Sequence, residues 1–222
     1  MQMDIPISQI KPSYPPPLIP TQEAPAIQST INALNLLPHP EGGYFSETDR
    51  DPRRIPNPHQ PITSVTDTGA DPETRSASST IHYLLTPQRP LGVFHRNQSR
   101  TVHIWQRGRG RYVIIHADEV GGQNHMRGCS SENATARIET FVVGPGVEAG
   151  ERMQWVVEGG KYKASFLLPD ESEGETSSGL LISEVVVPGF EFTDHDFLRK
   201  SKMEELLTEE QVQDLSWMLK IE

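Results

Sequence analysis

The chain of 222 residues holds one cysteine, Cys129, so no disulfide can form within it. No apolar run approaches the roughly 18 residues that a membrane-crossing helix requires. The N-terminus lacks a basic region followed by an apolar one, so a signal peptide is not expected. There is no P-loop, no dinucleotide-binding glycine pattern, no zinc finger, no H-E-x-x-H helix and no G-x-S-x-G elbow. Positive charge is also short: the formal net charge is -10, against the phosphate neutralisation a general nucleic-acid binder relies on. With these absences a soluble cytoplasmic protein is expected, with neither a membrane nor a nucleic acid as partner.

What the chain has in plenty is punctuation. With 19 prolines, 17 glycines and 35% hydrophobic residues, much of it must be turn or loop. Residues 1–27 read as a Pro-rich tail in extended conformation. Ser29 to Leu37, with Ile31, Leu34 and Leu37 at helical spacing, predicts a short helix stopped by Pro38. Strands are predicted at 44–48, 80–85, 91–96, 112–116, 138–143, 153–157, 162–168 and 180–187, with a further one around His103. Polar stretches near 51–79, 117–136 and 169–179 read as loop insertions in a single domain spanning 28–198. Residues 199–222 read as two short helices, because Ser201-x-x-Glu204 and Thr208-x-x-Gln211 both have capping-box form. Many short strands with no alternating long helices predict an all-β antiparallel barrel or double-sheet jelly roll.

The stretch from Leu91 to Gly110 holds His95 and His103, the first candidates for proton transfer near neutral pH. The competing reading is a barrel histidine satisfied by backbone. The same stretch has no Asp or Glu but includes Arg96, Arg100, Arg107 and Arg109. The first two are candidates to hold an anionic oxygen; the others read as surface charge. His195, between Asp194 and Asp196, reads as a solvated turn.

Four blocks, His39-Pro-Glu-Gly-Gly-Tyr-Phe, Gly92-Val-Phe-His-Arg, Gln154-Trp-Val-Val-Glu-Gly-Gly-Lys-Tyr and Val187-Pro-Gly-Phe-Glu-Phe, occur in an order that resembles a family of small RmlC-like cupins of unknown function. The resemblance runs from about Leu36 to Phe197. It implies a double-stranded β-helix, usually a homodimer, with a small-molecule pocket at the barrel mouth that contains His95. Cupin metal sites use several His and one Glu, and relatives carry an acidic pair where this chain has Arg100 and Thr101. An arginine there would repel a cation, so no metal and no cofactor are expected. By the same resemblance Glu41 and Tyr44 border the pocket or serve only the Gly-Gly turn. Gln154 orients a carbonyl or amide. Trp105, Trp155 and Tyr162 shape the cavity or simply fill the core. Glu191 is a pocket acid or a loop anchor.

The expected protein is a metal-independent cupin for a small, largely apolar carbonyl or acidic compound. Its chemistry would be isomerisation, epimerisation, dehydration or cyclisation, with His95 as acid/base and His103 assisting. The alternatives are a non-catalytic binding cupin and a metal-dependent one with atypical ligands.

Overall fold

The strand Tyr162–Leu168 shows how the chain builds its layers. Successive side chains point to opposite faces, so Tyr162, Ala164 and Phe166 join one apolar cluster while Leu167 joins another. Lys163 and Ser165 share the Leu167 face and are buried with it. The structure is a computed structural model, and it describes residues 4–15, 17, 21–59, 73–120, 135–171 and 174–221. Cys129 and the middle of the 51–79 and 117–136 stretches lie outside the described residues.

In chain order the strands are β1 (Leu37–Pro38), β2 (Tyr44–Arg50), β3 (Arg54–Pro56), β4 (Thr74–Ser76), β5 (Ser79–Leu85), β6 (Leu91–Arg96), β7 (Arg100–Arg107), β8 (Arg109–Ile115), β9 (Ile138–Val143), β10 (Gln154–Val157), β11 (Tyr162–Leu168), β12 (Leu180–Val187) and β13 (Asp196–Phe197). A six-stranded sheet, β1-β2-β5-β12-β7-β10, faces a five-stranded sheet, β13-β6-β11-β8-β9. All their pairings are antiparallel. This is the jelly-roll barrel predicted from the strand pattern. β3 and β4 pair as a separate ribbon, so the stretch read as a loop over 51–79 carries structure at both of its described ends.

Between the sheets lie Tyr83, Leu85, Trp155, Leu180 and Ile182 from one side and Tyr112, Ile114, Phe141, Val143 and Leu167 from the other. The back of the five-stranded sheet is covered by helices α2 (Lys200–Leu206) and α3 (Glu209–Leu215), through Met203, Leu206, Val212 and Leu215. The back of the larger sheet is partly covered by α1 (Pro25–Ala33), whose Ile27 and Ile31 pack on Leu84.

Three local expectations are corrected. The first helix begins four residues before Ser29, since Pro25 occupies its first turn, where a missing N–H costs nothing. It ends before Leu37 because Asn35 adopts φ 52°. Leu36 N–H then donates to the Ile31 carbonyl at 2.9 Å, the pairing of a Schellman stop. The N-terminal segment is no free tail where it is described. Ile10 is fully buried in the layer beneath α2 and α3, with Ile5 and Ile7 against it. Asp4 pairs with Arg111 at 2.7 Å, and Glu23 accepts hydrogen bonds from the hydroxyls of Tyr44 (3.0 Å) and Thr86 (2.7 Å).

The third correction concerns caps. Ser201 lies inside α2, whose N-cap position is Arg199 with no side-chain bond. The Thr208/Gln211 box does form: Gln211 N–H donates to Thr208 Oγ1 at 3.3 Å and Thr208 N–H to Gln211 Oε1 at 3.0 Å. Thr208→Ala is expected to cost about 1 kcal/mol, read as a lower urea midpoint with an unchanged slope.

Candidate active site

Strand register brings the polar residues to one level of the interior. Across the five-stranded sheet, direct partners run Phe197, His95, Lys163, Ile114, Glu139. Across the other sheet they run Glu47, Ile81, Glu184, His103, Trp155. Directly opposed residues share a face with Cβ atoms about 5 Å apart. His95 and Lys163 are therefore neighbours on one wall, and Glu184 and His103 on the other.

Lys163 spans the gap. Its ammonium donates to His103 Nε2 at 3.2 Å and to Glu184 Oε2 at 3.2 Å, two acceptors that are themselves 3.5 Å apart. His103 is fully buried and stacks on Trp155 with ring centres 5.1 Å apart. Burial, and then the Lys163 charge, hold its imidazole well below the usual range. His103 is thus a neutral acceptor that seats the lysine.

Glu41 enters from the turn before β2. Gly42 has φ +105°, and a Cβ there would lie 1.9 Å from the Leu91 carbonyl oxygen, so this turn needs glycine. The Tyr83 hydroxyl donates to the Gly42 carbonyl at 2.9 Å and Val93 N–H to the Glu41 carbonyl at 2.8 Å. The carboxylate faces three imidazoles. His195 Nε2 donates to Oε1 at 2.7 Å, while His95 Nε2 stands 3.1 Å and His39 Nδ1 3.6 Å from Oε2. Burial pushes this carboxyl up, but the imidazoles of His95, His39 and His195 outweigh it and hold the group far below the carboxylate range.

Tautomers follow from the bonds. His39 Nδ1 accepts the Glu41 N–H at 3.2 Å, which leaves its proton on Nε2. His95 Nδ1 lies 2.8 Å from the Val93 carbonyl, an acceptor only, so the proton is on Nδ1 and Nε2 presents a lone pair. Burial is the main cause that lowers both imidazoles, His95 to about 3. At neutral pH His95 is a base with its free nitrogen aimed beside Glu41. Glu41, His195 and Glu184 keep 12%, 11% and 11% of their side-chain surface open, so the cluster reaches accessible space.

His195 is no solvated turn. It stacks on His95 at 5.5 Å and contacts the Phe197 ring edge at 4.8 Å. The preceding Asp194 forms a buried ion pair with Arg75 at 2.5 Å, and Arg75 also donates to the carbonyl of Gly189 and to Asn57 Oδ1. The β3–β4 ribbon thereby fixes the segment that carries His195.

Several predicted residues lie elsewhere. Arg96 forms a two-pronged pair with Asp196 (2.7 and 3.1 Å) over the Tyr162 ring. Tyr162 itself belongs to the layer beneath the C-terminal helices and donates to Asp196. Arg100 is exposed and paired with Glu158. Its repulsion of a metal therefore falls away as an argument. Gln154 is exposed. Tyr44 faces α1 and Glu23. Glu191 pairs with Arg50 at 3.5 Å, the loop anchor rather than the pocket acid. Trp105 is half-buried at the edge of the inner cluster, its Nε1–H donated to the Gly108 carbonyl at 2.7 Å. His95, Glu41, His103 and Trp155 are the predicted residues that the fold does bring together. Lys163, Glu184, His39 and His195 were missed.

These residues do not fit a divalent cation. Three imidazoles gather at Glu41, but among the described residues no group of three or more His, Cys, Asp or Glu side chains is set to hold a metal ion. The Lys163 ammonium already fills the place between His103 and Glu184, and Glu41 Oε1 is bonded to His195.

A jelly-roll barrel with a polar, histidine-rich interior is the architecture of a cupin. The profile of the family described as Cupin superfamily (DUF985) matches residues 28–198, and this chain belongs to that family. It is 41% identical over 202 residues to the uncharacterized protein YML079W of Saccharomyces cerevisiae, covering 90% of each chain. A hypothetical protein from Leishmania major superposes with TM-score 0.66 at 26% identity, over 90% of this chain and 100% of that one. A protein of Shewanella oneidensis does so with TM-score 0.59 at 21% identity, over 88% and 98%. Among the described residues no helix is long and apolar enough to cross a membrane.

Proposed function

We propose that this cupin binds a small carbonyl compound and catalyses non-redox acid/base chemistry on it without a metal, of the isomerisation, epimerisation or dehydration type. The observation that carries this reading is His95, held by the Val93 carbonyl with its Nε2 lone pair free, 3.1 Å from Glu41 and across one strand pairing from Lys163. In the proposed step Nε2 takes a proton from the carbon beside the carbonyl. The C–H electron pair becomes the C=C bond of the enolate and the C=O π pair moves onto the carbonyl oxygen, where the Lys163 ammonium meets the developing negative charge. The carboxylate of Glu41 stabilises the imidazolium until the proton returns to carbon.

The test is deuterium exchange. Protein incubated with a panel of small aldehydes and ketones in D2O is followed by NMR for loss of C–H signal. Exchange above the buffer rate, unchanged after exhaustive chelation, is expected. A rate that collapses on chelation and returns with added metal ion would remove the metal-free reading; no exchange with any compound would remove the acid/base one. Homodimerisation is carried as part of the proposal, and sedimentation velocity should return twice the chain mass; the mass of a single chain would remove it.

A further inference from the structure

The polarity of the site goes further and selects among carbonyl compounds. Among the described residues, the carboxylates of Glu41, Glu184 and Glu139 face the inner cluster, against the ammonium of Lys163 and the guanidinium of Arg152, which pairs with Glu139 at 3.0 Å. Arg96, Arg100, Arg107 and Arg109, which stand nearest in sequence, turn to Asp196, Glu158, Thr30 and Glu151 outside it. The inner cluster therefore holds one negative charge in excess in a buried setting, where a second anion would meet repulsion little weakened by solvent.

Its hydrogen-bonding capacity is equally lopsided. His95 Nε2 and Glu41 Oε2 are both acceptors, 3.1 Å apart, and no hydrogen bond joins them. His39 Nδ1, the next nearest nitrogen, is already taken by the Glu41 N–H. A ligand O–H or N–H donated to Glu41 Oε2 satisfies the carboxylate and leaves His95 Nε2 facing the adjacent C–H. On the same wall Lys163 supplies the donor that a carbonyl oxygen needs. Donor on the ligand at one point and acceptor at the next, met by side chains from directly paired strand positions, describe a hydroxyl beside a carbonyl.

We infer that the natural substrate is an uncharged α-hydroxy aldehyde or ketone, with its hydroxyl donated to Glu41, the C–H of the same carbon toward His95 Nε2 and its carbonyl oxygen toward Lys163. This rests on the reading of His95 and Lys163 above, and it replaces the acidic compound expected when the arginines were placed in the pocket. The same placement explains why Glu41 sits on a glycine turn pinned by Tyr83: the carboxylate must hold its position for the hydroxyl to be read.

Three probes of similar size separate the possibilities: hydroxyacetone, acetone, which lacks the hydroxyl, and pyruvate, which carries a carboxylate. Binding is measured by saturation-transfer NMR and proton exchange by deuterium incorporation, on the full chain. Hydroxyacetone is expected to exceed both others at least tenfold, and Glu41→Gln, at unchanged circular dichroism, to reduce its lead over acetone to about twofold. Pyruvate equal to or better than hydroxyacetone would overturn the substrate class while leaving the acid/base reading in place. Acetone equal to hydroxyacetone would also overturn it, since the hydroxyl would then go unread. Selective binding of hydroxyacetone without exchange would uphold the ligand class and remove the catalytic reading. Binding of none of the three would overturn both.

Discussion

Lys163→Met is expected to lower deuterium exchange by about 10²–10³-fold, the usual loss when a preorganised donor to a developing oxyanion is removed. It should also destabilise the fold by roughly 3–5 kcal/mol, because Glu184 is left as a buried charge without its partner. These two effects have different causes and can be separated. In Lys163→Met/Glu184→Leu the stranded carboxylate is gone and two apolar side chains of suitable size face each other. Stability should recover most of the loss, measured as a urea midpoint, while exchange stays at the level of the single variant. A double variant that regains exchange would show that the ammonium matters only for folding. His103 shares this network as an acceptor, so His103→Phe is the wrong control: it would leave the lysine with Glu184 as its one acceptor of the two.

The second large effect is acid sensitivity. His95 falls from an ordinary 6.5 to about 3 on folding, and burial lowers His39 and His103 as well. Between these limits the unfolded chain binds protons that the folded chain does not, so stability falls as pH falls. The contribution of these imidazoles is fully present above about pH 6.5 and drains away toward pH 3. Glu41 acts in the same direction, since its carboxyl also lies below its ordinary 4.5, with its share lost below that value. Each buried imidazole adds up to about 1.4 kcal/mol per pH unit. Thermal denaturation should thus hold steady from pH 8 to 7 and drop steeply between pH 6 and 4. His95→Gln should flatten part of that drop, and a melting temperature constant down to pH 4.5 would show that these histidines are not buried as neutral groups.

Much of this architecture could be read from the chain. Ile138–Val143, Tyr162–Leu168 and Leu180–Val187 have the bounds their apolar runs predict, because β-branched and aromatic runs between Gly and Pro leave little choice. Which face of each strand turns inward was not legible, and the site depends on it. Lys163 in Tyr-Lys-Ala-Ser-Phe and Glu184 in Ile-Ser-Glu-Val-Val did carry a signal: a charge set within an apolar strand must find a partner inside. The arginines between Leu91 and Gly110 misled for the opposite reason. Their partners lie between 42 residues away, Glu151 for Arg109, and 100 residues away, Asp196 for Arg96, and no local pattern reveals them. His195 was hidden likewise, as its flanking aspartates looked like solvent-facing charge until Arg75 and Arg96 took them up.

The β11 register has a consequence for how the barrel assembles. If β11 paired one residue out of step, Tyr162, Ala164 and Phe166 would turn inward and the Lys163 ammonium would be driven into the greasy layer beneath α2 and α3. Among the described residues the carboxylates at that layer, Asp196 and Asp4, are already held by Arg96 and Arg111. An all-apolar β11 would tolerate that slip; this one forbids it at the cost of an unpaired buried charge. Lys163 is therefore also a proofreader of strand alignment, rejecting the wrong barrel before any ligand meets the right one.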